Sequence, residues 1–244
     1  KGHHNLCESI VDRMSWGAFA AYYRLPKEVV SQNTFLRPAH VSAQRGAFLE
    51  PLACVVSGQS HIPLSEDDTV VILGCGTIGL LHLLLNKKRS AARVIVVGRH
   101  AERLALAKRL GADEIVDIDL VGAVEEVRRL TGGFGAELVI ECVGRPSAWE
   151  ESLAMVSPGG FLLLFGGCPS NTTASFDTYR IHYDQITLKG VFHFTPADVK
   201  LSYDYLCQGL PVEEILSGTY PLAELPSVMQ KLDQGIGIKY AISF

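Results

Sequence analysis

The sequence predicts an α/β protein: a doubly wound parallel sheet, with β-rich segments before and after it in the chain. Three observations predict it. From Thr69 onward, short apolar strands alternate with amphipathic helices. A GxGxxG turn lies between the first of those strands and its helix. The chain, 244 residues with 48% hydrophobic and 20% charged, is long enough to bury a core without metal or disulfide staples.

The elements come in order. Residues 1 to about 50 read as irregular and β-rich, with a strand over Gly17–Tyr23 and Pro26 and Pro38 punctuating the loops. Val70–Leu73 is an apolar, β-branched strand, and Ile78–Asn86 is a helix closed by Lys87, Lys88 and Arg89, which suit the negative end of its dipole. Arg93–Val97 is the next strand. Ala101–Leu110 is a helix with Gly111 as its stop. Ile115–Val116 is a short strand, Val121–Leu130 a helix, Leu138–Cys142 a strand, Ala148–Val156 a helix, and Phe161–Phe165 and Ile186–Phe192 further strands. A helix then starts with Thr195 as N-cap, Pro196 in the first turn and an acid at Asp198. Short helices and a terminal strand complete the chain. The domain limits read from this are 1–53, 54–193 for the sheet, and 194–244.

Composition excludes several functions. With 22 Lys+Arg against 26 Asp+Glu the formal net charge is −4, without a basic block, so there is no electrostatic footprint for nucleic acid or an anionic membrane. Cysteines 7, 54, 75, 142, 168 and 207 form no CxxC pair, which points to a reducing cytoplasm and not to a secreted disulfide framework. The sequon at Asn171 matters only outside that compartment. No signal peptide opens the chain. Thr69–Asn86 carries no charge and is long enough for a membrane span, but its glycines make it strand, turn and helix instead. The chain opens on Lys1 in a polar segment, as if in the middle of a larger unit.

The strongest chemical signal is Gly74-Cys75-Gly76-Thr77-Ile78-Gly79. In such a turn Gly74 permits the tight bend, Gly76 admits a pyrophosphate to the backbone, and Gly79 lets helix and strand pack closely. Amides at the helix start then bind phosphate, as for Thr77 and Ile78 here. The competing reading is a chance glycine-rich turn. NAD-binding units place an acid roughly 20 residues on, to hold the ribose 2′-hydroxyl. Here that region carries Gly98, Arg99 and Arg103 instead. A missing carboxylate removes repulsion against a 2′-phosphate, and guanidinium suits bidentate phosphate contact, so NADP(H) is expected over NAD(H). The alternative is that both arginines are solvated helix-start charges. Glu50 and Cys54, and likewise His3, His4 and Cys7, are too few donors to make a metal site by themselves.

The chain from Asn5 to Phe244 resembles the zinc-dependent medium-chain alcohol and polyol dehydrogenases, most of all the sorbitol and threonine dehydrogenase branch. The matching stretches are NLC at 5–7, GAFAAYYRLP at 17–26, LEPLACVVSG at 49–58, VVILGCGTIGLL at 70–81, ERLALAKRLGADEIVD at 102–117 and IHYDQITLKGVFHFTP at 181–196. The resemblance implies a Rossmann domain set into a β-rich GroES-like catalytic domain. It matches Cys7 to a structural-zinc cysteine and Glu50 to a catalytic-zinc carboxylate, direct or through water. It places Gly74, Gly76 and Gly79 at the pyrophosphate, and Gly98 and Arg99 at the 2′-site. Cys142, Val143 and Gly144, with Phe165, Gly166 and Gly167, border the nicotinamide and ribose. The family's other zinc ligands lie upstream of Lys1, so the chain resembles a member lacking most of its N-terminal catalytic half.

The resemblance implies an NADP(H)-linked, zinc-dependent oxidoreductase of a secondary alcohol or polyol, forming a homodimer or homotetramer, with this segment alone inactive. A truncated, non-catalytic NADP(H)-binding module is the alternative, and a zinc-free quinone-reductase relative is a third reading. GxSxG, HExxH and Walker A patterns are absent, which removes hydrolase, zincin and NTPase readings. His182, Tyr183 and His193 read as structural or as lining the cofactor cleft.

Overall fold

A computed structural model describes residues 4–9, 12, 17, 19–90 and 92–244; His3 and Ala18 of the sequence reading lie outside the described residues. The contacts divide the chain into two compact units. One is Gly58–Val191, and the other combines Lys1–Ser57 with Phe192–Phe244.

The second of these opens with helices. After a 3-10 turn at His4–Leu6, α1 spans Lys27–Asn33, α2 spans Ala43–Gly46 and α3 spans Leu49–Gln59. Ser42 caps α2 by accepting from Arg45 N at 3.0 Å. The strand expected over Gly17–Tyr23 is not formed: its described residues are bends and coil, and Tyr22 is 95% exposed. An extended segment holds its backbone groups only against a partner strand, and among the described residues of this part there is none. The described residues among the first fifty are thus helical and irregular rather than β-rich.

Within Gly58–Val191 the alternation expected from sequence is present. β1 (Thr69–Leu73), α4 (Thr77–Arg89), β2 (Arg93–Gly98), α5 (Ala101–Arg109) and β3 (Glu114–Asp117) come first. α6 (Ala123–Leu130), β4 (Ala136–Glu141), α7 (Pro146–Met155), β5 (Val156–Leu164), α8 (Thr178–Tyr183) and β6 (Thr187–Gly190) come next. The strands form one parallel sheet in the order β3-β2-β1-β4-β5-β6. β1 is central, pairing Val71 with Ile95 on β2 and with Val139 on β4.

Residues alternate between the two faces of a strand. Val71, Leu73, Ile95 and Val97 share a buried cluster with Val127 of α6 and Leu153 of α7. Val70 and Ile72 turn to the opposite face, where α4 packs, and they too are wholly buried. Both faces being covered is why these strands read as unbroken Val/Ile/Leu runs. Gly111, with φ +105°, ends α5 as expected. The basic end of α4 is secured by Lys87 Nζ, 2.6 Å from Asp113. β6 stops at Gly190, two residues short of its expected end, and is an edge strand.

In the other unit, α9 (Pro196–Cys207) starts as expected: Thr195 accepts from Asp198 N, and Asp198 accepts from Thr195 N at 2.7 Å. β7 (Leu216–Pro221), α10 (Leu225–Asp233) and β8 (Lys239–Ser243) close the chain, β7 and β8 pairing in parallel.

Candidate functional site

At the C-terminal ends of β1 and β2 lies a cavity of about 400 Å³. Gly74, Gly76, Gly98, Arg99, Arg103, Cys142 and Val143 line it, so it gathers both halves of the motif read from sequence. Local geometry explains why. Leu73 O accepts from Cys142 N at 2.9 Å, and Gly74 N donates to Val97 O at 2.7 Å, fixing the three strand ends side by side. Gly74 turns the chain with φ +115°, and α4 then starts at Thr77 with Gly76 as N-cap. A Cβ on Gly76 would meet nothing within 4 Å, so this backbone faces open space at the positive end of a helix dipole.

Gly79 lies in the first turn of α4 and serves packing rather than the cavity. A Cβ there would sit 1.8 Å from Gly74 O, a backbone atom that cannot yield. Thr77 and Ile78 belong to the same turn.

The β2 turn is tied to the glycine turn by a thiol. Cys75 Sγ donates to Arg99 O at 3.1 Å, and a Cβ on Gly98 would fall 2.4 Å from that sulfur. Burial pushes the Cys75 thiol up from its ordinary value, so it stays protonated and able to donate. Arg99 Nε is 3.5 Å from Asp119, with each side chain more than half exposed, a pair worth little against solvent. Its guanidinium is therefore available to a phosphate at small cost.

Sequence reading missed His100 and Arg145 in this lining. His100 caps α5 with φ +68°, an uncommon conformation for a non-glycine residue, so a strained turn borders the cavity. Arg145 comes directly after Gly144 at the start of α7; its position immediately after the strand-end glycine was the available signal. Arg99, Arg103 and Arg145 give the cavity a cationic rim, opposed by Glu151.

Phe165, Gly166 and Gly167 line a separate hollow of about 290 Å³ beyond β5. Gly144 packs against them without entering the first cavity: a Cβ on it would lie 2.6 Å from Gly167 O.

The expected zinc residues lie in the other unit. Cys7 and Glu50 line one cavity of about 690 Å³ together with His193, whose φ is +54°. His182 and Tyr183 are exposed on α8. Glu50 opens α3 and accepts from Cys54 Sγ at 3.5 Å. Burial and then the Glu50 carboxylate push the Cys54 thiol up to about 12. Among the described residues no group of three or more His, Cys, Asp or Glu is placed to hold a metal. The described residues do not fit zinc.

Sheet order, glycine turn and flanking helices define a Rossmann-type doubly wound domain. The zinc-binding dehydrogenase family model matches residues 77–206, just over half of the chain, and the chain belongs to that family. It is 34% identical over 228 residues to D-arabitol-phosphate dehydrogenase of Enterococcus avium, covering 91% of this chain and 63% of that protein. Sorbitol dehydrogenase of Bacillus subtilis is 27% identical over 239 residues, covering 95% and 65%. A solved structure from Sinorhizobium meliloti 1021, assigned to the zinc-binding dehydrogenases and bound to NADP, superimposes with TM-score 0.76 at 29% identity, covering 80% of this chain and 58% of that one. The chain spans just under two thirds of the length of these curated relatives. No helix among the described residues is long and apolar enough to cross a membrane.

Proposed function

We propose that this chain binds NADP(H) in the cavity at the ends of β1 and β2, as the nucleotide-binding part of an oxidoreductase acting on a secondary alcohol or polyol and its ketone. One observation carries the reading: the glycine turn, Arg99 and Arg103 line the same cavity. The start of α4 would hold the pyrophosphate. Arg99 and Arg103 would hold a 2′-phosphate, and Val97 and Ile118 offer apolar surface to a base. Hydride transfer is the chemistry that a bound nicotinamide supplies. The polyol class rests on the relatives, an arabitol-phosphate and a sorbitol dehydrogenase among them.

The second reading is an NADP(H)-binding module without turnover of its own. It is favoured by the lack of a metal-holding group among the described residues. Fluorescence titration separates ligand preference from catalysis. NADPH is expected to bind about tenfold or more tighter than NADH, and Arg99→Ala to weaken NADPH by roughly 10- to 100-fold while sparing NADH. Equal or tighter NADH binding would sink the NADP(H) assignment. Turnover of sorbitol or arabitol phosphate with NADP⁺ and added Zn²⁺ would refute the binding-only reading.

A further inference from the structure

One buried carboxyl group does not itself line the cavity just described, although it holds the amide of Val143, which does. Glu141 closes β4 between β1 and β5, and its side chain is wholly buried. Oε1 accepts from the backbone N–H of Val143 at 2.6 Å and of Gly144 at 2.9 Å. The carbonyl oxygen of the same residue accepts from Phe165 N at 3.0 Å and Gly166 N at 2.9 Å. One residue therefore ties the turn after β4 to the turn after β5. The closeness is such that a Cβ on Gly166 would lie 2.4 Å from Gly144 N and 2.8 Å from Glu141 Oε2. Trp149 Nε1, from α7, secures the second turn by donating to Gly166 O at 3.0 Å.

A buried carboxylate is a costly device for bracing the turn after β4, which the main chain of the same residue ties to the turn after β5. Oε2 is buried without a well-formed hydrogen bond, and burial pushes the carboxyl up from its usual range although the Gly144 and Val143 amides, the Trp149 indole and the Gly166 amide pull it down. Such a cost is typical of a functional position. Its place in the sheet says which function. In a doubly wound sheet a dinucleotide lies across the C-terminal strand ends, on both sides of the point where strand order reverses. That point here is between β1 and β4. The glycine turn, Arg99 and Arg103 occupy the β1–β2 side. The second nucleotide of the same ligand then falls over β4 and β5, on the two turns that Glu141 joins.

We propose that Glu141 is a positioning residue for the second, nicotinamide-bearing nucleotide, setting the spacing of turns 142–144 and 165–167, apart from the glycine turn, Arg99 and Arg103 that hold the adenosine end. This rests on the dinucleotide reading above. The test titrates the whole chain, as wild type, Glu141→Leu and Glu141→Gln, with NADPH and with adenosine 2′,5′-bisphosphate, which carries the 2′-phosphate end alone. Glu141→Leu is expected to weaken NADPH by about tenfold or more and to leave the bisphosphate within about twofold. Glu141→Gln, whose amide oxygen still accepts from both N–H groups, is expected to restore most of the NADPH affinity. If Glu141→Leu does not fold, Glu141→Asp, which withdraws the carboxylate by one methylene, is expected to show the same ligand-selective loss. Equal loss of both ligands, or no loss of NADPH, overturns the proposal while leaving the dinucleotide reading intact. A wild-type chain that binds neither ligand overturns both.

Discussion

The two compact units differ in how their candidate sites are made. In Gly58–Val191 the site is mostly backbone: strand ends, a helix start and glycines, supplied by consecutive β-α-β segments and backed by wholly buried Val70, Val71, Ile72 and Ile95. In the unit of residues 1–57 and 192–244 the candidate site is a set of side chains from distant segments, Cys7, Glu50 and His193, beside half-exposed apolar groups such as Tyr23 and Leu25. A backbone site needs only one correctly folded sheet. A side-chain site needs every contributing segment, and among the described residues these donors are not grouped to hold a metal.

Adding one methyl group to each unit should give the largest contrast between them. Gly79→Ala puts a Cβ 1.8 Å from the backbone oxygen of Gly74. It is expected to cost about 3 kcal/mol or more and to lower Tm by roughly 10 °C. Gly46→Ala, in α2 of the other unit, meets only Arg37 Cδ at 3.9 Å and should leave Tm unchanged or slightly higher. Similar losses from the two would show that the backbone site is no more constrained than its counterpart.

A smaller effect concerns pH. His82, on α4, is wholly buried, with Gln59 Nε2 3.2 Å from Nδ1, and burial lowers its pKa from 6.5 to about 3. A depressed folded pKa contributes stability that is present above 6.5 and lost as pH falls through about 3, because only the unfolded chain takes up the proton in between. Between pH 6.5 and 5 the loss is roughly 2 kcal/mol. Urea unfolding at those two pH values should show His82→Gln losing that much less than wild type; identical pH dependence in the two proteins would mean that the helix core admits the charged imidazole.

The smallest expected change is in Cys54. With the thiol pushed up to about 12, alkylation by N-ethylmaleimide at pH 8 should be far slower than for a free thiol. Glu50→Gln removes the carboxylate's repulsion of the thiolate and should speed the reaction a few-fold, whereas unchanged kinetics would show that burial alone holds the proton.

Most of the nucleotide-fold unit was legible in the sequence. GCGTIG lies between an apolar strand and a helix, the stop signal at Gly111 acts within a few residues, and each was found where expected, as was the Thr195 cap in the other unit. The strand over Gly17–Tyr23 was not legible in the same way, since β-branched or aromatic residues form a strand only when a remote partner arrives. The site divides along the same line. Gly74, Gly76, Gly98 and Arg99 are evident from sequence spacing, whereas His100 and Arg145 were missed because their share in the cavity depends on a strained turn and on the start of α7.

Local sequence was enough for the alternation of strands and helices, the glycine turn and the lack of an acid at the end of β2, because each rests on residues near in the chain. The assembled sheet was needed to show that Cys75 clasps the Arg99 turn and that Glu141 links the β4 and β5 turns. Folding of the other unit was needed to show that Cys7 and Glu50 share a cavity without forming a metal group among the described residues. Those arrangements join strands and helices whose neighbours in space are set by the order of the sheet and the packing of the core, which no short run of residues encodes.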